Sequence, residues 1–114
     1  MTTLYHNPRC RKSREALGIL QEAGKEVDIV LYLEQPLDEA ALRQLISQLG
    51  IAPIDLIRKG EAAWKEHYKG KTLTDDQVIA AMVKFPKLME RPVAVHQGKA
   101  VIGRPPEQVL DLYE

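Results

Sequence analysis

The sequence predicts an α/β fold, with a mixed four-stranded sheet and a helical insertion between the sheet's two halves. Three observations carry this reading. A strand-like segment, an amphipathic segment and a β-branched segment follow one another within the first 33 residues, which makes a βαβ unit with a right-handed crossover. The middle third repeats apolar residues at helical spacing. The last quarter returns to two short strand segments around a glycine turn and then a helix, a ββα ending.

Taken in order, Thr2 to Tyr5 reads as the first strand, broken by the turn formers Asn7-Pro8. A helix from about Cys10 to Ala23 places Ser13, Ala16, Leu17, Leu20 and Ala23 on one face, and Gly24 ends it. Val27 to Leu33 is mostly apolar and rich in β-branched residues, which predicts a strand buried on both faces. Leu42, Leu45, Ile46 and Leu49 then mark a helix stopped by Gly50. Pro53 to Lys59 and Glu61 to Tyr68 read as two shorter helices. Thr74-Asp75-Asp76-Gln77 has the capping-box pattern ahead of Val78, Ile79, Met82 and Val83, and Pro86 closes that helix. Val93 to Val95 and Ala100 to Ile102 flank Gln97-Gly98 as a hairpin. Pro105 suits the first turn of a last helix, with Val109, Leu110 and Tyr113 turned inward. The expected organisation is one domain over residues 1–114 with the helical insertion at about 37–86.

Composition narrows the class. The 114 residues carry 16 basic and 16 acidic side chains, so the formal net charge is zero, and this argues against a general nucleic-acid binder. The one cysteine cannot form an internal disulfide, which speaks against a disulfide-stapled secreted domain. The longest apolar run, Val78 to Val83, is far short of the ~20 residues that span a membrane. Met1-Thr2-Thr3-Leu4 lacks the layout of a signal peptide, so a cytoplasmic location is expected. His67 and His96 have no ligand spacing with Cys10 or each other, so no metal site is expected. Trp64 and Tyr68, four apart, suit a packing face, and no Gly-rich phosphate loop is present.

The chemistry points to Cys10, which sits where the loop after the first strand becomes a helix. There, free backbone N–H groups and the positive end of the dipole stabilise an anion. A free thiol ionises near pH 8.5, and a helix N-terminus with cationic neighbours lowers that to roughly 3.5–7.5. The candidate local sources are His6, Arg9, Arg11, Lys12 and Arg14. On count alone a single cysteine reads as a small buried hydrophobe. Yet Met1 to Arg14 contains four Arg/Lys residues and no acidic one, against the dipole's preference and around the only thiol. That one-sided field favours a reactive cysteine in an anion site. Cys10-Arg11-Lys12-Ser13 has the spacing of a C-x-x-C turn with serine in the second place. Serine cannot close an intramolecular disulfide, so an oxidised Cys10 must be released by an outside thiol. A phosphatase loop, with arginine six residues after the cysteine, is excluded because that position is Ala16. Any oxyanion must therefore be held by arginines from elsewhere in the chain.

Four separated motifs, running essentially end to end, carry a family resemblance. His6-Asn7-Pro8-Arg9-Cys10-Arg11-Lys12-Ser13-Arg14, Leu31-Tyr32-Leu33-Glu34, Leu88-Met89-Glu90-Arg91-Pro92-Val93 and Gly103-Arg104-Pro105-Pro106-Glu107 together resemble the glutaredoxin-dependent arsenate reductases. The resemblance implies a thioredoxin-like fold and an oxidoreductase that reduces arsenate to arsenite. Glutathione is then a co-substrate, glutaredoxin a protein partner, and no cofactor is tightly bound. It implies Cys10 as nucleophile, His6 as a residue helping to depress the thiol pKa, and Ser13 as a hydroxyl able to hydrogen-bond the thiolate. Arg58, Arg91 and Arg104 become the oxyanion ligands, and Pro92 a structural cis-proline.

Arginine's planar fork suits a tetrahedral oxyanion, and several fixed charges offset the repulsion between thiolate and arsenate. Arg91 and Arg104 each precede a proline and are thereby biased to extended backbone. The expected partners are small molecules and glutaredoxin, acting on a monomer, with no nucleic acid and no membrane. The chain departs from many relatives in the basic run around Arg11 and in Gly103, which leaves no second thiol beside Arg104. The same superfamily holds two alternatives. One is a glutathione-dependent thiol-disulfide oxidoreductase without arsenate turnover. The other is a non-catalytic regulator of the Spx type that binds RNA polymerase; such regulators commonly carry a second cysteine where this chain has Ser13.

Overall fold

In the computed structural model, which describes residues 1–113, the chain divides into two units. The first comprises Met1–Gln35 and Arg91–Glu114, the second Pro36–Glu90. In the first unit, strand β1 (Thr2–Tyr5) lies inside a four-stranded sheet of order β2-β1-β3-β4. It pairs in parallel with β2 (Val27–Val30), Leu4 opposite Ile29, and antiparallel with β3 (Val93–His96), Leu4 opposite Ala94. β3 pairs antiparallel with β4 (Lys99–Ile102) across the two-residue turn Gln97-Gly98. Both turn residues have positive φ, 50° and 78°, the geometry that matches hairpin twist. Helix α1 (Arg11–Glu22) crosses between β1 and β2, and Gly24 (φ 75°) turns the chain back. The core joins Leu4, Ala16, Leu20, Ala94, Val109 and Leu112. This is the mixed thioredoxin-like sheet.

Two expectations in this unit are corrected. β2 is an edge strand of four residues, with Asp28 and Ile29 exposed, rather than a strand buried on both faces to Leu33. Residues after Val30 leave the sheet because Glu34 and Gln35 N–H both donate to the Leu31 carbonyl and close a turn. That turn buries Tyr32 and exposes Leu33. The last element, Pro106–Tyr113, is a 3₁₀ helix rather than an α-helix. Its repeat of three residues per turn buries Pro106, Val109 and Leu112, leaves Leu110 exposed and Tyr113 half-buried.

The second unit contains α2 (Glu39–Leu49), a 3₁₀ turn (Pro53–Leu56), α3 (Ala62–His67), α4 (Asp75–Lys84) and a 3₁₀ turn (Pro86–Leu88). Asp38 caps α2 by accepting from Ala41 N–H at 2.8 Å, and Gly50 closes it in the left-handed region. The capping box at α4 forms reciprocally: Gln77 N–H donates to Thr74 Oγ1 at 3.2 Å and Thr74 N–H to Gln77 Oε1 at 2.8 Å. α4 buries Val78, Ile79, Ala81 and Met82, so Ala81 takes the inward place expected of Val83, which is exposed. Trp64 and Tyr68 stack with ring centroids 5.4 Å apart, as the packing-face reading expects. No helix among the described residues is long and apolar enough to cross a membrane.

Candidate active site

The site is built at the end of β1. Pairing with β2 continues one residue past the strand, where His6 N–H donates to the Val30 carbonyl at 2.9 Å. This leaves His6 5% exposed. Asn7 then folds the loop: its side-chain Oδ1 accepts from Arg9 N–H at 3.0 Å and its carbonyl from Cys10 N–H at 3.0 Å. Cys10 is the N-cap of α1, with extended φ and ψ, and its carbonyl accepts the first helical bond from Arg14 N–H at 3.0 Å. The thiol is thus held, half-buried, over the free N–H groups of the first turn.

Ser13 is the third residue of α1 and fully buried. Its hydroxyl oxygen accepts from Asn7 N–H at 3.0 Å and lies 2.6 Å from His6 Nδ1. Its described hydroxyl contacts are therefore with His6 and Asn7, while its backbone N–H is among the groups that lower the Cys10 thiol. Burial, with the nearby charge of Arg14, pushes the His6 imidazole below its ordinary range. A neutral His6 joined to Ser13 fixes the loop against the helix start.

The two remote arginines of this unit arrive from the other half of the sheet. Arg91 and Arg104 each precede a cis peptide bond, at Pro92 and Pro105. Gly103 N–H donates to the Pro92 carbonyl at 2.8 Å, which ties the end of β4 to the start of β3. Arg104 Nε donates to the Arg91 carbonyl at 2.8 Å, and its Nη2 lies 3.6 Å from Cys10 Sγ. Burial alone would push the thiol pKa up. The Ser13 backbone N–H, a hydrogen bond from Arg91 and the charges of Arg104 and Arg91 outweigh it, and the thiol is lowered.

The basic run next to Cys10 does something else. Arg11 Nε pairs with Glu15 at 3.0 Å, one turn along α1, and Arg14 Nη1 donates to the Pro8 carbonyl at 2.9 Å. Side chains of the first helical turns point out from the axis, so the charges that act on the thiolate come from residues distant in sequence.

Arg58 belongs to the second unit, where its backbone N–H donates to the Leu88 carbonyl at 2.7 Å and its Nε lies 3.5 Å from Glu61 Oε2. Asn7, which reads in the sequence only as a turn former, also positions Ser13, and Gly103, which reads only as a departure from relatives, is a close-packed position. A Cβ on Gly103 would lie 2.8 Å from Pro92 Cγ and 3.1 Å from Val109 Cγ1. The Asn-Pro dipeptide was the signal for the first. A glycine with no positive φ gave none for the second. Among the described residues, no three His, Cys, Asp or Glu side chains are arranged to hold a metal ion.

A thiolate flanked by two guanidinium-bearing residues, with no second thiol in the chain, can attack an electrophilic oxyanion and must then be regenerated from outside. Comparison with known proteins places the chain among the following relatives. The family model described as "ArsC family" matches residues 5–112. A protein of Escherichia coli strain K12 bearing the name "Uncharacterized protein YfgD" is 52% identical over 111 residues, 96% of this chain and 93% of that one. A protein of Neisseria meningitidis serogroup A named "Arsenate reductase" is 37% identical over 93% of this chain and 92% of its own. The solved structure "Arsenate reductase from Vibrio cholerae" superposes with a TM-score of 0.93 at 42% identity, covering 97% of this chain and 96% of that one.

Proposed function

Given that the chain belongs to the ArsC family, we propose that it reduces arsenate to arsenite through the Cys10 thiolate, with glutathione and glutaredoxin as thiol donors. The observation that carries this reading is the approach of Arg104 Nη2 to Cys10 Sγ, 3.6 Å, with Arg91 also lowering the thiol. The arginine pair lets two anions meet.

The steps balance. The thiolate attacks arsenic and expels an arsenate oxygen as water, forming a sulfur–arsenic bond. Glutathione's sulfur then attacks Cys10 Sγ, forming a mixed disulfide. The sulfur–arsenic bond breaks, its electron pair stays on arsenic, and arsenite leaves as As(III). Glutaredoxin takes the glutathione from Cys10, and a further glutathione completes the disulfide product. Cys10 returns as thiolate for another cycle. Ser13 supplies a backbone N–H to the sulfur, while His6 and Asn7 hold Ser13 in place. The reaction is set in the cytoplasm on a monomeric protein, where reduced thiols are the available electron source.

The test is NADPH oxidation coupled through glutathione reductase, with glutathione, glutaredoxin and arsenate, on wild type and Cys10→Ser. Turnover should require arsenate and vanish in the variant. Turnover independent of arsenate would assign the protein to general thiol-disulfide exchange instead.

A further inference from the structure

Beside the Cys10 loop lies a cavity of about 250 Å³ to which the steps above assign no ligand. Its walls are His6, Asn7, Pro8 and Arg9 on one side and Leu31, Leu33 and Glu34 on the other. The turn that ends β2 early is what creates it, since it carries Leu33 and Glu34 outward instead of into the sheet. Arg9 and Glu34 are both exposed, and neither side chain has an ion-pair or hydrogen-bond partner among the described residues. The cavity therefore offers one free cation, one free anion and two leucines. Sites that bury drug-sized ligands run from about 300 to 1,000 Å³. This one is below that range, so it fits a single amino-acid-sized group.

Its place relative to the thiol limits what that group belongs to. Arg9 precedes Cys10, and consecutive Cα atoms are ~3.8 Å apart. A ligand end seated in the cavity lies beside the residue that precedes Cys10, and a γ-peptide link, which runs through the side-chain carboxyl and is two bonds longer than an α-peptide step, supplies the reach from there towards the thiol. A short peptide thiol meets this geometry when its terminal residue is a zwitterion and its next residue is the cysteine. In glutathione the γ-glutamyl end alone carries both an α-ammonium and an α-carboxylate; the glycyl end has a carboxylate only.

We infer that this cavity is the recognition pocket for the γ-glutamyl end of the thiol donor, with Glu34 taking the ammonium, Arg9 the carboxylate, and Leu31 and Leu33 the methylene chain. The inference rests on the donor named under the proposed function and adds how that donor is told apart from other thiols. Its first consequence is a preference that does not involve arsenic. The Cys10 thiolate attacks one sulfur of glutathione disulfide, the sulfur–sulfur bond breaks, a Cys10–glutathione disulfide forms and glutathione thiolate leaves. Glutathione disulfide should react faster than uncharged hydroxyethyl disulfide once each rate is scaled to its rate with a free model thiol.

The experiment measures those two rates for wild type, Glu34→Gln and Glu34→Lys by mass spectrometry of the whole chain. Glu34 is the discriminating position because its two possible effects have opposite signs. Glutathione disulfide is a net anion, so removing a carboxylate should speed it if charge acts only in bulk. Pocket recognition predicts the reverse: a fall of about two- to fivefold in the ratio of the two rates for Glu34→Gln, and a larger fall for Glu34→Lys. A ratio that rises or stays constant overturns the inference, as does a wild type with no preference between the disulfides. A wild type that shows the preference but turns over no arsenate keeps the pocket and removes the proposed substrate. Arsenate turnover with glutathione and no such preference removes the pocket and keeps the substrate.

Discussion

Replacing Arg104 by Gln removes the guanidinium nitrogen that lies 3.6 Å from Cys10 Sγ and keeps a polar side chain of similar shape. At 3.6 Å a unit charge pair is worth about 1.2 kcal/mol in bulk water and about 4.6 kcal/mol at an effective dielectric near 20. Both side chains are half-buried and reached by solvent, so the water end of that range governs, about 1–2 kcal/mol. That is roughly a tenfold fall in the thiolate-to-thiol ratio at fixed pH. The assay is the rate of iodoacetamide alkylation of Cys10 followed across pH 4 to 10. Arg104→Gln should move the titration towards higher pH. Arg104→Lys, which restores charge without the fork that binds the Arg91 carbonyl, should fall between the two. An unchanged titration in Arg104→Gln would refute the claim that the remote arginine, and not the helix start alone, activates the thiol.

Other outcomes follow from the same geometry. Ser13→Ala leaves the Asn7 N–H and His6 Nδ1 without their fully buried partner and should cost about 1–3 kcal/mol in urea unfolding. Gly103→Ala forces a methyl to 2.8 Å from Pro92 Cγ and should cost about 1–3 kcal/mol, with slower Cys10 alkylation because Arg104 is the next residue. His6 titrates below its ordinary value of 6.5, so below that pH the unfolded chain binds a proton that the native chain does not. Native stability should therefore fall as pH drops from 6.5 towards the lowered native value, and His6→Gln should flatten that slope in thermal melts. Cys10, also lowered, contributes stability that is complete above the ordinary thiol value and lost as pH falls through the native one. The advantage of wild type over Cys10→Ser should accordingly grow with pH across that window.

Local chemistry was readable in the sequence where one short segment determines its own conformation. Thr74 and Gln77 form their capping box from their spacing, and Gln97-Gly98 makes the hairpin turn that its residue types favour. Apolar continuity was ambiguous at Val27 to Leu33, because a doubly covered strand and an edge strand followed by a turn present the same run of residues. Helical period misplaced Leu110, since nothing in Pro106 to Tyr113 announces three residues per turn rather than 3.6.

In the site, Cys10 was legible because a single thiol at a strand–helix junction is a local pattern. The source of its activation was not. Arg104 reaches the sulfur through the Arg91 carbonyl and the Gly103–Pro92 contact, a convergence of segments more than 80 residues away in sequence. Only the family resemblance pointed to Arg91 and Arg104. The neighbouring Arg11 and Arg14 drew attention by proximity, yet they pair along the helix and with the loop.

Intact mass measurement after mixing the protein with arsenate and glutathione, glutaredoxin withheld, tests the central claim most directly. A glutathione adduct should accumulate on Cys10 in proportion to arsenate, and Cys10→Ser should stay unmodified. An adduct that forms equally without arsenate, or none with it, would contradict arsenate reduction by this thiolate.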